Sequence, residues 1–207
     1  MKKITHLILH LIPLLLGCAL AAGCATQAEP MALYDLGPLQ ANHANSSNPG
    51  SLPALTIAEI NAPAWLDSQL MYFRLSYANQ QQTRPYARSR WSMAPLQLFG
   101  QRLKARIAQA GGVVLSATDG ATSLPVLRVD ADEMIQDFDS ASHSSARISV
   151  RASVFDGRSL LAQKTFSRQA IAPSADAAGG ASAMAEASDA LIDDIMQWLA
   201  AQSLPKK

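Results

Sequence analysis

The sequence predicts an α+β fold in which one mixed or antiparallel sheet is covered on one face by two helices. Two amphipathic segments, at about residues 95–110 and 183–202, predict the helices because their apolar residues recur at spacings of three and four. Between them, residues 125–171 alternate apolar and polar side chains, which is typical of strands in a sheet with one solvated face.

The elements expected before the first helix are short. Strands are predicted at 32–36, 55–60, 70–77 and 84–90, and one helical turn at 64–67. Residues 37–53 are rich in Gly, Pro, Asn and Ser, so a flexible loop is expected there.

The first helix is expected to be capped by Ser92 and to carry Pro95 in its first turn, where proline is tolerated. Arg102 and Arg106 are predicted to lie largely off its apolar face, and Gly111-Gly112 should end it. The apolar face consists of Leu96, Phe99, Leu103, Ile107 and Ala110.

The second half of the chain predicts a meander followed by a helix. After strands at 113–115 and 126–132, residues 147–154 should pair with 159–171 through a two-residue turn at Asp156-Gly157. Residues 173–182 are interpreted as a small-residue linker. The last helix should bury one apolar stripe of side chains. Its acidic residues should lie towards the other side, and they are Glu186, Asp189, Asp193 and Asp194.

Composition excludes several kinds of function. The 207 residues suit one domain, and a formal net charge of +1 gives no electrostatic reason to expect nucleic-acid binding. The two cysteines, Cys18 and Cys24, lie near the N-terminus, so no disulfide framework or cysteine metal site is expected in the body of the chain. Only His43 and His143 follow Cys24, so no metal or cofactor is predicted.

One acidic run could in principle perform acid–base chemistry or bind calcium: Asp130, Asp132, Glu133, Asp137 and Asp139. Alternation along a strand explains it more simply, as a solvated sheet face that ends in a loop. Arg147 and Arg151 on the next strand could pair with these acids. No nucleophile motif accompanies the histidines or serines, and the sequence predicts no enzyme.

The N-terminus is typical of an exported protein. Lys2 and Lys3 precede an apolar stretch at 4–16, which is short for a membrane span. The run Ala21-Ala22-Gly23-Cys24 resembles a bacterial lipobox, so residues 1–23 are predicted to be a lipoprotein signal peptide and Cys24 the acylated residue. An uncleaved anchor helix is the alternative for this segment.

Cys18, after Leu15-Leu16-Gly17, is the alternative lipid attachment site. It is disfavoured because cleavage there would leave an apolar stub and a second thiol exposed outside the cytoplasm. With Cys24 as residue one, 24–53 is a lipid-anchored tether with the first strand and a flexible loop. Residues 54–204 then form the globular α+β domain, whose sheet the strand at 32–36 should join.

Three motifs carry a family resemblance. Tyr34-Asp35-Leu36 follows the lipobox cysteine by ten residues, Pro63-Ala64-Trp65-Leu66-Asp67 leads into a strand that ends at Arg74, and Tyr86 with Arg90-Trp91 precedes the first helix. Together they resemble the auxiliary lipoproteins of ABC-type transport systems, the family that includes paraquat-inducible protein C. The chain departs from the family pattern at two places, Ser68-Gln69-Leu70 and Ser92-Met93-Ala94-Pro95.

The resemblance implies a non-enzymatic lipoprotein on the periplasmic side of the outer membrane that docks an MCE-domain protein of a lipid transport system. Ala25, the residue after Cys24, agrees with outer-membrane sorting in enteric bacteria, although an inner-membrane location and a homo-oligomer stay open. The alternative is a lipoprotein that itself binds a lipid or other apolar ligand, or assists outer-membrane assembly. That alternative predicts a roomy apolar cavity between sheet and helices.

Overall fold

A computed structural model describes residues 30–39, 52–120, 124–202 and 204 of the chain. The predictions for the signal peptide, Cys18, Cys24, His43 and most of the loop at 37–53 lie outside these residues. Within them, no helix is both long and apolar enough to cross a membrane.

Eight strands form one mixed sheet organised around the long strand β6. On one side β6 pairs antiparallel with β7, which pairs with β8; on the other, its first residues pair parallel with β2 and its last with β3. β2 continues to β5, and β3 continues through β4 to β1. The strands are β1 (Ala32–Tyr34), β2 (Leu55–Ile57), β3 (Leu70–Leu75), β4 (Thr83–Trp91), β5 (Val114–Ser116), β6 (Val126–Phe138), β7 (Ser144–Asp156) and β8 (Ser159–Ile171).

Two helices, α1 (Pro95–Gln109) and α2 (Ala177–Ala200), pack on one face of this sheet. The predicted α+β class is therefore confirmed. The apolar stripes of the two helices share one core with the strands. Burial of these side chains supplies most of the favourable free energy of packing. This core includes Phe99, Leu103, Ile148, Val150, Leu191 and Ile195.

Strand β6 runs six residues further than the predicted strand at 126–132. A bulge between Ala131 and Glu133 shifts the register of its pairing with β7. Before the bulge, Leu127 and Val129 face the core, and after it the even-numbered Met134 does. The residues that face the core are thus odd-numbered before the bulge and even-numbered after it. This change interrupts the alternation of apolar and polar residues, so the alternation alone predicts a strand that ends too early.

The start of α1 was also predicted incorrectly. Ala94, not Ser92, is the N-cap residue, and no side chain caps the helix. Ser92 instead donates its backbone N–H to the Tyr34 carbonyl at 2.7 Å, which joins it to β1. Pro95 needs no N–H partner at the first helical position, so the missing cap costs little. The C-terminal signal was correct, since Gly111 has a φ of +80° just after the helix.

Helix α2 begins at Ala177, six residues before its predicted start. Asp176 caps it by accepting a hydrogen bond from the Gly179 N–H at 2.8 Å. Gly179-Gly180 therefore belongs to the first turn rather than to a linker. A Cβ on Gly180 would lie 1.9 Å from Oε1 of Gln136, so only glycine permits this approach of helix to sheet.

The predicted hairpin is present between β7 and β8, but its two-residue turn is Gly157-Arg158, one residue later than the predicted Asp156-Gly157. Asp156 pairs with Ser159, and Gly157 takes a φ of +57° in the turn. A two-residue turn of this kind needs positive φ, which Gly supplies without a steric cost.

Candidate functional site

The interface between α1 and α2 carries two arginine–aspartate pairs. Arg102 binds Asp189 in a bidentate arrangement, with Nε–Oδ1 and Nη2–Oδ2 distances of 2.6 Å. One turn on, Nη2 of Arg106 lies 2.5 Å from Oδ1 of Asp193. Both arginines are 7% exposed, so the prediction that they lie off the packed face is wrong. These charges face each other across the two helices and are largely shielded from water.

Arg102 also holds the segment that follows β1. Its Nη1 donates hydrogen bonds to the carbonyls of Leu36 at 2.9 Å and Gly37 at 3.0 Å. One guanidinium thus joins α1, α2 and the chain just downstream of the first strand. Because β1 is itself paired with β4, the polypeptide is held in the domain over residues 32–37.

The spacing of these residues in the sequence is a signal for the two pairs. Arg102 and Arg106 are four residues apart, as are Asp189 and Asp193, and each pair is separated by 87 residues. Matching spacings on two neighbouring helices allow both pairs to form at once, and the constant separation of 87 requires that the two helices run in the same direction where they meet. Neither arginine–aspartate pair lies in a catalytic motif. We interpret the two pairs as contacts that position α1 against α2.

A second polar group lies where the N-terminus of α2 meets the sheet. The Tyr86 hydroxyl donates to Oε1 of Gln136 at 2.9 Å, and Nε2 of Gln136 donates to the Ser144 hydroxyl at 2.8 Å and the Asp176 carbonyl at 3.1 Å. Burial raises the pKa of Tyr86, and the negative charge of Asp176 adds to the shift. The neutral phenol is therefore the form that this site stabilises.

The acidic run lies on the opposite face of the sheet and is paired with arginines, as predicted. Arg147 lies 3.2 Å from Asp137 and 3.8 Å from Glu133, and Arg151 lies 3.5 Å from Asp130. Glu133 and Asp137 belong to β6, so the strand extends further than predicted, and Asp139 lies in the loop that follows it. Asp137 is also buried rather than solvated. These pairings explain the acids structurally.

The remaining candidate groups show no arrangement for catalysis in the part of the chain that the structure describes. His143 pairs with Asp139 at 2.8 Å in an exposed turn. No group of three or more His, Cys, Asp or Glu residues is placed to hold a metal ion among residues 30–39, 52–120, 124–202 and 204. The aromatic Trp65 and Tyr72 pack edge to face against each other, as anchors of the fold.

Two clefts on the surface of the described residues have linings that mix polar and apolar groups. The larger, of about 590 Å³, lies between α1 and the segment after β2, and its lining mixes Ile60 and Leu96 with Glu59, Asp67 and Lys104. Another, of about 500 Å³, borders the Arg102–Asp189 pair. Between the sheet and the helices, the described side chains fill the space as a packed core.

The fold is shared with solved structures. The crystal structure of a Xanthomonas campestris protein of the DUF330 family aligns with a TM-score of 0.69 and 19% identity, covering 81% of this chain and 93% of that one. A second, described as an uncharacterized protein, gives a TM-score of 0.66 and 14% identity over 83% and 99% of the two chains. At these identities the likeness shows the fold alone.

The family is shown by the sequence itself. No curated protein matches the chain. A family model for the ABC-type transport auxiliary lipoprotein component matches residues 34–196, which include the Tyr86 network and both arginine–aspartate pairs. The chain therefore belongs to the family of ABC-type transport auxiliary lipoprotein components.

Proposed function

We propose that this protein is a non-enzymatic lipoprotein on the periplasmic side of the outer membrane that docks the MCE-domain protein of an ABC-type lipid transport system. The observation that carries the proposal is the family match over residues 34–196, which begins ten residues after the lipobox-like Cys24.

The proposed anchor limits how far the domain can move from the membrane. Cys24 precedes Ala32 by eight residues, which span at most about 29 Å when fully extended at ~3.6 Å per residue. Residues 32–36 are held by β4 and by Arg102. Acylation at Cys24 would therefore keep Ala32, where the described strand β1 begins, within about 29 Å of the bilayer.

Metabolic labelling with palmitate tests the anchor. Cys24→Ser should lose the label and accumulate as the unprocessed precursor, because the thiol is the acceptor of the lipid. Cys18→Ser is the matched control and should keep both label and processing. The reverse pattern would move the lipid to Cys18. Separation of inner and outer membranes then tests the proposed location of the labelled protein.

Crosslinking in the native cells, followed by affinity purification and mass spectrometry, tests the partner. The proposal predicts an MCE-domain protein in the eluate of the wild type. Its recovery should fall in Cys24→Ser, because the unanchored precursor is not delivered to the outer membrane. Recovery of outer-membrane assembly proteins or bound lipid, without an MCE-domain protein, would contradict the proposed role and favour the ligand-binding alternative.

A further inference from the structure

The long strand β8 is an edge strand of the sheet. Among the described strands it pairs with β7 alone. Its 13 residues exceed the usual strand length of about 5–6. All of them are exposed except Ala162, Phe166 and Ala170. A long, exposed edge strand presents a row of backbone N–H and C=O groups with which another strand can pair.

The register shows which backbone groups of β8 are open. The Ala172 N–H donates to the Ser144 carbonyl at 2.9 Å, and these residues continue the register in which Ile171 pairs with Ser145. Backbone groups of successive residues in a strand point to opposite edges. The even-numbered residues from 162 to 172 therefore bond to β7. The N–H and C=O groups of the odd-numbered residues point away from β7, and these residues are Gln163, Thr165, Ser167, Gln169 and Ile171.

A groove of about 560 Å³ lies between β8 and the C-terminal part of α2. Phe166 of β8 and Trp198 of α2 form its apolar part, with ring centroids 5.6 Å apart in an edge-to-face arrangement. Nζ of Lys164 lies 5.0 Å from the centroid of the Phe166 ring. Arg168 binds Asp194 of α2 with N–O distances of 2.5 and 2.6 Å. These contacts place both cations of β8 on the sheet face that carries α2.

An open strand edge beside a helix can accept an extended peptide as an additional strand. The added strand would lie ~4.8 Å from β8 and pair with the backbone groups of its odd-numbered residues. Every second side chain of the added strand would then enter the groove against Phe166 and Trp198. Backbone donors and acceptors that alternate along a strand are matched by another polypeptide backbone, so the edge favours a protein as the occupant.

The charges of β8 select among possible strands. Its charged residues are Lys164 and Arg168. Asp194 pairs with Arg168, whereas no carboxylate of the described residues pairs with Lys164. A second copy of β8, paired antiparallel, would bring two further cations onto the same sheet face, and like charges on neighbouring strands are destabilising. The edge therefore favours a strand with an acidic side chain over a second copy of this chain.

We propose that an extended segment of the transport partner adds to β8 as a ninth strand of the sheet, with an apolar side chain against Phe166 and Trp198 and an acidic side chain beside Lys164. The inference rests on the proposed function, since that function supplies an MCE-domain protein as the partner. In this binding mode the backbone pairing supplies affinity, and the side chains in the groove supply specificity.

Photocrosslinking on the full-length lipoprotein in its own membranes tests the location. A photoreactive phenylalanine analogue at Thr165, which is exposed on the open edge, should crosslink to the MCE-domain protein. The matched control is Leu33, which is 65% exposed on the other edge strand, β1. A crosslink to the MCE-domain protein from position 33 but not 165 would overturn the inference. A crosslink from 165 to a second copy of this chain or to phospholipid, without the MCE-domain protein, would also overturn it.

Residue-resolved amide hydrogen exchange on the purified complex tests the binding mode. The N–H groups of Thr165 and Ser167 should exchange more slowly in the complex than in the free lipoprotein, because the added strand accepts their hydrogen bonds. The Phe166 N–H is the internal control, since it already bonds to β7 and should change less. A complex in which the exchange of Thr165 and Ser167 is unchanged would exclude strand addition.

A proline variant removes one open donor and leaves the ladder between β7 and β8 in place. Ser167→Pro should reduce recovery of the MCE-domain protein about tenfold, a loss of ~1.4 kcal/mol of binding, because proline has no N–H to offer the added strand. Ser167→Ala is the matched control and should leave recovery unchanged. Thermal unfolding shows whether Ser167→Pro is folded, and where it is not, the Lys164 variants decide.

The Lys164 variants test the acidic side chain of the partner. Lys164→Glu should also reduce recovery about tenfold, whereas Lys164→Arg keeps the positive charge and should retain the partner. Lys164 is exposed, so both variants should unfold at the temperature of the wild type. If Lys164→Glu and a folded Ser167→Pro both retain the partner, the inference fails while the proposed function stands. If the wild type itself recovers no MCE-domain protein, the proposed function fails and this inference fails with it.

Discussion

Arg102 of α1 and Asp189 of α2 form a buried bidentate ion pair in which both N–O distances are 2.6 Å. Their side chains are only 6% and 9% exposed. The same guanidinium binds the carbonyls of Leu36 and Gly37, so four hydrogen bonds converge on one side chain. Removing one partner of such a group leaves a buried charge without compensation, which costs more free energy than the pair itself contributes.

Arg102→Leu should lower the free energy of unfolding by ~3–5 kcal/mol, because Asp189 would stay buried without its partner. Arg102→Leu combined with Asp189→Leu should cost less than Arg102→Leu alone, since both charges are removed together. Denaturant unfolding of the two single variants and the double variant measures this coupling. Strict additivity of the two single losses would contradict a direct interaction between these side chains.

The hydrogen bonds from Arg102 to the carbonyls of Leu36 and Gly37 form a clamp on the segment after β1, and this clamp predicts a local effect as well. Arg102→Lys keeps the positive charge but cannot reach Asp189 and two carbonyls with one planar fork. Amide hydrogen exchange should therefore accelerate in residues 32–37. Arg106→Lys is the control, because Arg106 pairs with Asp193 in the neighbouring turn, and exchange in 32–37 should stay as in the wild type. Equal acceleration in both variants would show general loosening of the helix pair instead of a clamp.

The Asp176 cap predicts a defined dependence on pH. Hydrogen bonds from the Gly179 backbone N–H, and next from the Ser174 hydroxyl, lower the pKa of Asp176 below its ordinary value of 3.8. The stabilisation is therefore complete above the unfolded-state pKa and is lost as the pH falls through the lower folded-state pKa. Asp176→Ala should lose ~1 kcal/mol at neutral pH.

Asp176→Asn separates capping from charge. Asparagine caps helices about as well as aspartate, so stability at neutral pH should be close to that of the wild type. Its unfolding free energy should fall less steeply below about pH 4 than that of the wild type. Urea unfolding at a series of acidic pH values gives both slopes, and identical slopes would remove Asp176 from the acid response.

Gly180 predicts a steric effect with a partner that can relieve it. An alanine Cβ would lie 1.9 Å from Oε1 of Gln136, so Gly180→Ala should destabilise the protein by ~1–3 kcal/mol despite the higher helix propensity of alanine. Ser182→Ala, on the exposed side of the same helix, is the control and should be near neutral. Adding Gln136→Ala to Gly180→Ala should cost less than the two single losses together, because the shortened side chain makes room for the methyl group.

Sequence patterns predicted the elements whose burial follows one period. Residues 147–154 of β7 and the apolar stripe of α1 have this property, since each alternation or three-to-four spacing runs without interruption. Family motifs predicted the transport auxiliary lipoprotein family in the same way, because they are short and local in the chain. Such patterns can be recognised without knowing which distant segments pack together in the fold.

The incorrect predictions depend on contacts between distant residues. Gly179-Gly180 resembles a linker until Gln136 of β6 is placed against the helix. Arg102 and Arg106 resemble solvated helix residues until Asp189 and Asp193 face them. A bulge likewise conceals the second half of β6. In each case tertiary packing overrides local preference, and a single periodicity cannot encode it.

Tyr86 predicts the response of the protein to alkali. Burial first, and then the charges of Asp176 and Tyr34, raise the pKa of Tyr86 above its ordinary value of 10.0. The unfolded chain therefore loses this proton before the folded protein does, so the contribution of Tyr86 to stability is present below about pH 10 and declines at higher pH. Tyr86→Phe lacks the titrating group, and its unfolding free energy should fall less steeply between about pH 9 and 11.

At neutral pH, Tyr86→Phe should be ~1–3 kcal/mol less stable than the wild type, because Oε1 of Gln136 loses its donor. Tyr77→Phe, at an exposed position, is the matched control and should follow the wild type at both pH values. Parallel curves for Tyr86→Phe and the wild type above pH 9 would show that the neutral phenol is not what this site stabilises.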